Sequence, residues 1–163
     1  MWTMTRTRTG SLAGVLIEHR PATDPELAAL LAEQQAELRV LDGSVDGVVY
    51  PLDPAIELLV AVVDGVVVGC GGLQRLDETT AEIKRMYVRP PHRRRGISRR
   101  MLAALEALAM ERGCTVVRLE TGSYMPGAIA FYRSAGYEQI PPYGQYAGNP
   151  FSVCLERQLV HAG

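Results

Sequence analysis

The chain has 163 residues, 47% of them hydrophobic and 21% charged, with 17 Lys+Arg against 18 Asp+Glu and a formal net charge of −1. That length and balance fit one globular domain with a real core. A pI near 6.3 argues against a general nucleic-acid or anionic-membrane binder, which needs a basic field.

No apolar run approaches the roughly 20 residues of a membrane helix. Cys70, Cys114 and Cys154 make neither a CxxC pair nor a zinc spacing. Buried free thiols in a reducing cytoplasm, and no metal site, are therefore expected.

Residues 1–13 contain basic residues but no apolar h-region, so they read as a disordered lead-in rather than a secretory signal. A single domain over residues 14–160 follows. "GVLIEHR" (Gly14–Arg20) alternates as a strand does. In "TDPELAALLAEQQAELR", Asp24 is an N-cap and Pro25 suits the first helical position. Leu27, Leu30, Leu31, Gln34 and Leu38 share one face of that helix. "VLDGSVDGVVYPLDP" (Val40–Pro54) has the Asp/Gly and Pro content of a loop. Two β-branched runs then flank Asp64-Gly65, a tight-turn dipeptide, and predict a hairpin.

"TAEIKRMYV" (Thr80–Val88) predicts a third strand, with Glu82, Lys84, Met86 and Val88 on one face. From Ile97 to Arg112 the period switches to 3.6, and Ile97, Met101, Leu102, Leu105, Leu108 and Ala109 form the apolar face. Gly113 closes the helix. "CTVVRLETG" is a strand and "PGAIAFYRSAG" a short helix from Pro126 to Gly136. "YEQI" and "FSVCLERQ" are two last strands around "PPYGQYAGNP". The order β-α-β-β-β-α-β-α-β-β is that of a mixed α/β domain.

The stretch "HRRRGISRR" (His92–Arg100) gathers five arginines where a strand meets a helix. A helix start has unpaired N–H groups and a partial positive charge, and binds phosphate where the backbone can come close. Gly96 permits that approach, and Ser98 adds a small hydroxyl donor. The Lys-Ser/Thr ending of a P-loop and the three glycines of a dinucleotide site are missing. On these residues alone a phosphate cradle and a plain helix start with solvated arginines both stand.

"IKRMYVRPPHRRRGISRRMLAALEALAMERG" resembles the core motif of the GCN5-related N-acetyltransferases, whose turn reads Gln/Arg-x-x-Gly-x-Gly/Ala. Arg93 to Ser98 fits except at its final residue. "AIAFYRSAGY" is similar to the family's second signature. The resemblance covers about Ile56 to Arg157 by motif, and the first strand and helix by order only. It implies a mostly antiparallel central sheet of six to seven strands, splayed in the middle and flanked by helices. It also implies an acetyl-CoA-dependent N-acetyltransferase without a metal, of a small bacterial, generic, cytoplasmic kind, with homodimers common. The implied reaction is direct transfer, in a ternary complex, to a primary amine of a small molecule, an amino-acid-like amine being one candidate. A non-catalytic acyl-CoA sensor and a protein N-acetyltransferase are the alternatives.

The same resemblance assigns residues. Met86, Tyr87 and Val88 lie along the pantetheine arm, and the Met86 N–H polarises the acetyl carbonyl. Backbone groups from Arg94 through Arg95, Gly96 and Ile97 to Ser98 hold the pyrophosphate, with the side chains of Arg93, Arg94, Arg95 and Arg99 adding attraction. Met125 stands where the family commonly has Asn on the cofactor. Glu82, fourteen residues before Gly96, is the candidate general base, its alternative being an ion pair with Lys84 or Arg75. Tyr132 is the candidate general acid. Lys84, Arg85, Tyr143 and Tyr146 are candidates for binding the acceptor, the cations toward a carboxylate.

Overall fold

Residues 14–43 and 51–159 are described by a computed structural model. The expected lead-in, part of the loop after the first helix, and residue 160 lie outside them. Ten strands and α-helices follow in the expected order: β1 (Val15–His19), α1 (Pro25–Asp42), β2 (Glu57–Val63), β3 (Val66–Arg75), β4 (Thr80–Val88), α2 (Ile97–Glu111), β5 (Val116–Gly122), α3 (Pro126–Ser134), β6 (Glu138–Ile140) and β7 (Ser152–Gln158).

The local signals act as chemistry requires. The Asp24 carboxylate accepts from the Leu27 N–H at 2.9 Å and opens α1. Gly43, at φ 71°, closes it. Val40–Asp42, expected in a loop, thus form the last turn of α1, because the first left-handed residue comes only after them. Asp64 and Gly65 take φ of 49° and 79°, the two positive angles that join antiparallel strands most tightly.

The seven strands form one sheet in the order β1-β2-β3-β4-β5-β7-β6. Every neighbouring pair is antiparallel except β4 and β5, which run parallel. That pair holds only from Thr80↔Val116 to Ile83↔Leu119, although β4 continues to Val88 and β5 to Gly122. The sheet is therefore split in the middle. On one face, Leu27 and Leu30 of α1 pack with Leu58, Val60, Val67 and Cys70. On the other, Ile97, Met101, Leu102 and Leu105 of α2 pack with Ala81, Ile83, Val88 and Tyr132. The expected apolar face of α2 is the buried one, residue for residue.

Strand β4 departs from the expected alternation. Tyr87 faces Cys70 and Lys84 faces Gly72, so Arg85 and Met86 both oppose Gly71. This is a β-bulge, and Arg85 enters the left-handed region at φ 60°. One extra residue shifts a period of two by one step. Ala81 and Ile83 pack on the α2 face before the bulge, and Met86 and Val88 after it. Glu82 and Lys84 consequently lie on the opposite face from Met86 and Val88, which corrects the single face expected for all four. Gly71 makes room for the bulge: a Cβ there would stand 2.8 Å from Leu105 and 3.2 Å from the Met86 sulfur.

Candidate active site

Between the diverging ends of β4 and β5 lies a cleft of about 620 Å³. Ile83–Met86 form one wall and Leu119–Gly122 the other. Gln34 and Leu38 of α1 close one side, Ala128 and Tyr132 of α3 the opposite side. A strand that has lost its neighbour keeps backbone donors and acceptors along that edge.

At its far end β4 passes through a single 3-10 turn, Pro90–His92, into the start of α2. Arg94 and Gly96 both have positive φ, 62° and 77°. Such left-handed residues among consecutive N–H groups make anion-binding concavities. Gly96 is the N-cap of α2 and offers no capping side chain, so the first-turn donors have no side-chain cap. Ile97 is buried and contributes backbone only; Ser98 is half-buried in the first turn.

The arginines divide. Arg94 and Arg95 are exposed beside the turn. Arg93 turns to α1, where its guanidinium fork meets Glu37 at 2.9 and 2.7 Å. Its Nε donates to the Val88 carbonyl at 2.8 Å, and its own N–H donates to Pro90 O. Arg99 donates to the Ser134 hydroxyl at 2.8 Å and lies over the Phe131 ring. Arg93 and Arg99, expected to add attraction for phosphate, brace α2 and the end of β4 against α1 and α3.

A second cavity, of about 440 Å³, is lined by Asp53, Gln74, Glu82, Lys84, Tyr143 and Tyr146 among others. Lys84 and Tyr146 also line the cleft, so the two spaces adjoin at these side chains. Glu82 is only 2% exposed. One of its oxygens takes the Lys84 ammonium at 3.1 Å and the other a hydrogen bond from the Tyr143 hydroxyl. The Tyr143 ring is held under the Arg118 guanidinium and edge-on to Tyr146. Burial, and then the Glu82 charge, push the Tyr143 phenol above its ordinary range. Four expected residues, Glu82, Lys84, Tyr143 and Tyr146, are thus brought together. Arg85 lines the cleft instead, and burial lowers its guanidinium pKa. Arg75 donates to the Glu78 carbonyl at 3.1 Å, away from Glu82.

Tyr132 lines the cleft from α3, 8% exposed. Its ring is wedged edge-on between Phe131 and Tyr137. Burial alone pushes its phenol up, so it stays protonated through neutral pH. Met125 is the N-cap of α3, and its side chain makes no capping hydrogen bond. The Thr121 hydroxyl reaches its sulfur at 3.8 Å.

Glu120 was not among the expected site residues. It is the first residue of β5 past the paired stretch, on the cleft wall. The Ser152 hydroxyl donates to one of its oxygens at 2.6 Å; the other has no hydrogen-bond partner among the described residues. Burial is the main cause that raises its carboxyl above the ordinary range. The Ser152 hydrogen bond opposes it, nearby Glu82 adds to it, and Lys84 opposes it. The available signal was a carboxylate at the carboxyl end of a strand running into a helix, where α/β sheets bind ligands.

Comparison with known proteins agrees with this geometry. The family model described as "Acetyltransferase (GNAT) family" matches residues 24–137. An Azospirillum brasilense protein named IAA acetyltransferase is 40% identical over 107 residues, 65% of this chain and 70% of that one. The uncharacterized N-acetyltransferase YsnE of Bacillus subtilis is 34% identical over 93 residues, 56% of this chain and 62% of its own length. A Klebsiella pneumoniae crystal structure, assigned as an acyl-CoA N-acyltransferase, superposes with a TM-score of 0.79 at 36% identity, over 90% of this chain and 98% of that one. An acetyl-CoA-bound GNAT structure from Elizabethkingia anophelis, 19% identical with a TM-score of 0.69 over 90% of this chain and 99% of its own, shares the fold.

Proposed function

The chain belongs to the acetyltransferase (GNAT) family and is an acetyl-CoA-dependent N-acetyltransferase; we propose that it transfers the acetyl group directly, in a ternary complex, to a primary amine of a small molecule. The observation that carries this reading is the meeting of two cavities at Lys84 and Tyr146. One is an open strand edge leading to a phosphate-type turn; the other is a separate polar pocket.

The residues present fit acetyl-CoA. The free edge of β4 from Lys84 to Val88 suits the amides of a pantetheine arm. The N–H groups from Arg94 to Ser98 suit a pyrophosphate, with Arg94 and Arg95 adding attraction. When bound, acetyl-CoA supplies an activated acyl group with a thiolate as leaving group. The Met86 N–H donates to the acetyl oxygen as negative charge grows there. Tyr132, kept protonated by burial, donates its hydroxyl proton to the departing sulfur.

An alkylammonium must lose a proton before it can attack. Glu82, which the resemblance marks for that task, has both oxygens engaged. We assign it to holding Lys84 and Tyr143, and assign the proton to the open oxygen of Glu120. The Lys84 ammonium has three donors, enough to hold Glu82 and an amino-acid-like acceptor's carboxylate together. Tyr143 and Tyr146 wall the acceptor pocket.

Initial-rate measurements of CoA release with amino acids, polyamines, aminoglycosides and peptides test the reading. Amine-dependent release with intersecting double-reciprocal lines is expected. Parallel lines would overturn direct transfer, and release from peptides alone would overturn the small-molecule acceptor.

A further inference from the structure

Two side chains from outside β4 reach the carbonyls of its bulge. The Cys70 sulfur, on the neighbouring strand β3, lies 3.3 Å from the Arg85 carbonyl oxygen. The Gln34 side-chain nitrogen, from α1, lies 3.0 Å from the Met86 carbonyl oxygen. We infer that Cys70 and Gln34 are positioning residues for acetyl transfer, which pin the two bulge carbonyls and so hold the Met86 N–H turned away from α1. This rests on the acetyl-transfer reading above, in which the Met86 N–H meets the acetyl oxygen.

A peptide unit is planar and trans, so its carbonyl and its N–H point in opposite directions. The Arg85 carbonyl and the Met86 N–H belong to one such unit, and no cis bond occurs among the described residues. Cys70 packs with Leu27 and Leu30 on the α1 face. A carbonyl drawn toward that thiol turns its N–H away from α1. Met86 lines the cleft at this point, beyond the last β4–β5 pair. Left to itself, a left-handed non-glycine residue such as Arg85 is strained, and ties on both following carbonyls hold it in place.

Both side chains have the chemistry for the task. Cys70 is 1% exposed, and burial pushes its thiol up to about 12. It therefore keeps its proton and remains a donor. Gln34 is 9% exposed. Its nitrogen must face Met86, since its oxygen would repel another carbonyl, and that leaves the Gln34 oxygen buried without a partner. A buried, unsatisfied acceptor is destabilising, a cost that an apolar residue filling the same space would avoid. The bond to Met86 is what distinguishes glutamine from a core leucine here.

The test compares Cys70→Ala, Cys70→Ser and Gln34→Leu. Thermal melting establishes which variants fold. Calorimetry then gives the affinities for acetyl-CoA and for CoA, which lacks the acetyl oxygen. Cys70→Ala and Gln34→Leu are expected to lower kcat about tenfold, part of the effect of losing one oxyanion donor. They are also expected to weaken acetyl-CoA binding severalfold while CoA binding holds. Cys70→Ser keeps an O–H donor and is expected to stay near the parent in both. The inference is overturned if folded variants lose affinity for both ligands equally, if kcat is unchanged, or if folded Cys70→Ser is as impaired as Cys70→Ala. Should Cys70→Ala not fold, Gln34→Leu and Cys70→Ser decide the matter. The affinity ratio is read without turnover. A parent that binds acetyl-CoA but acetylates no amine would sink the transfer reading and still leave this ratio to judge the bulge.

Discussion

The two ends of the cleft are built from different material. At the start of α2 the site is backbone: Arg94 and Gly96 in left-handed conformations and a helix without a capping side chain. Where β4 and β5 part, the site is side chains: Glu120 on Ser152, Glu82 between Lys84 and Tyr143, and Tyr132 on the opposite wall. Backbone recognition depends on conformation and tolerates exchange of exposed side chains. Side-chain chemistry depends on individual proton positions and tolerates little.

Substitutions can break that contrast. The largest effect is expected from Glu120→Gln, a loss in kcat/KM of about 100-fold or more at neutral pH, the usual weight of a general base. A base works deprotonated, and the Glu120 carboxyl titrates above the ordinary carboxylate range. In the parent, activity should therefore fall as pH drops through that raised pKa, and Glu120→Gln should lose this acidic limb. If Glu82→Gln removes the limb instead, the roles of the two carboxylates are reversed.

At the backbone end, Gly96→Val should raise the KM for acetyl-CoA on the order of tenfold. A β-branched residue at φ 77° is strained by roughly 1–3 kcal/mol. Tyr132→Phe should lower kcat by about tenfold, leave the KM for acetyl-CoA unchanged and retain the acidic limb. The double change Arg94→Ala/Arg95→Ala should raise that KM only about two- to threefold, an effect that fades with added salt because both side chains are exposed. A larger effect than Gly96→Val would mean that side chains, not backbone, hold the phosphates. The smallest change is expected from Arg93→Ala. It loses the Glu37 fork and the Val88 brace, so melting should fall by a few degrees while the KM for acetyl-CoA stays put.

How much of this was legible depends on the range of the interaction that decides it. The cap at Asp24, the turn at Asp64-Gly65 and the apolar face of α2 are local patterns, and the structure carries them unchanged. The helix start at Gly96 is equally local. The fate of Arg93 is not, because Glu37 lies 56 residues away on α1. The bulge escaped a period-two reading because nothing in "EIKRMYV" announces a left-handed arginine. It becomes comprehensible only with Gly71 opposite and the Cys70 and Gln34 contacts in place.

By itself, the sequence determined the element order, the core face of α2, the glycine turn that opens it and, through two spaced motifs, the family. Each is written in neighbouring residues, whose geometry follows from backbone period, capping and turn chemistry. Tertiary structure alone decided which carboxylate stands open. Glu82 and Glu120 are both strand glutamates, and only the parting of β4 from β5, the Ser152 hydroxyl on Glu120 and the Lys84–Tyr143 pair on Glu82 leave one oxygen of Glu120 open while both oxygens of Glu82 are engaged. Proton affinity is set by burial and by charges a few ångströms away, and those neighbours come from distant segments of the chain.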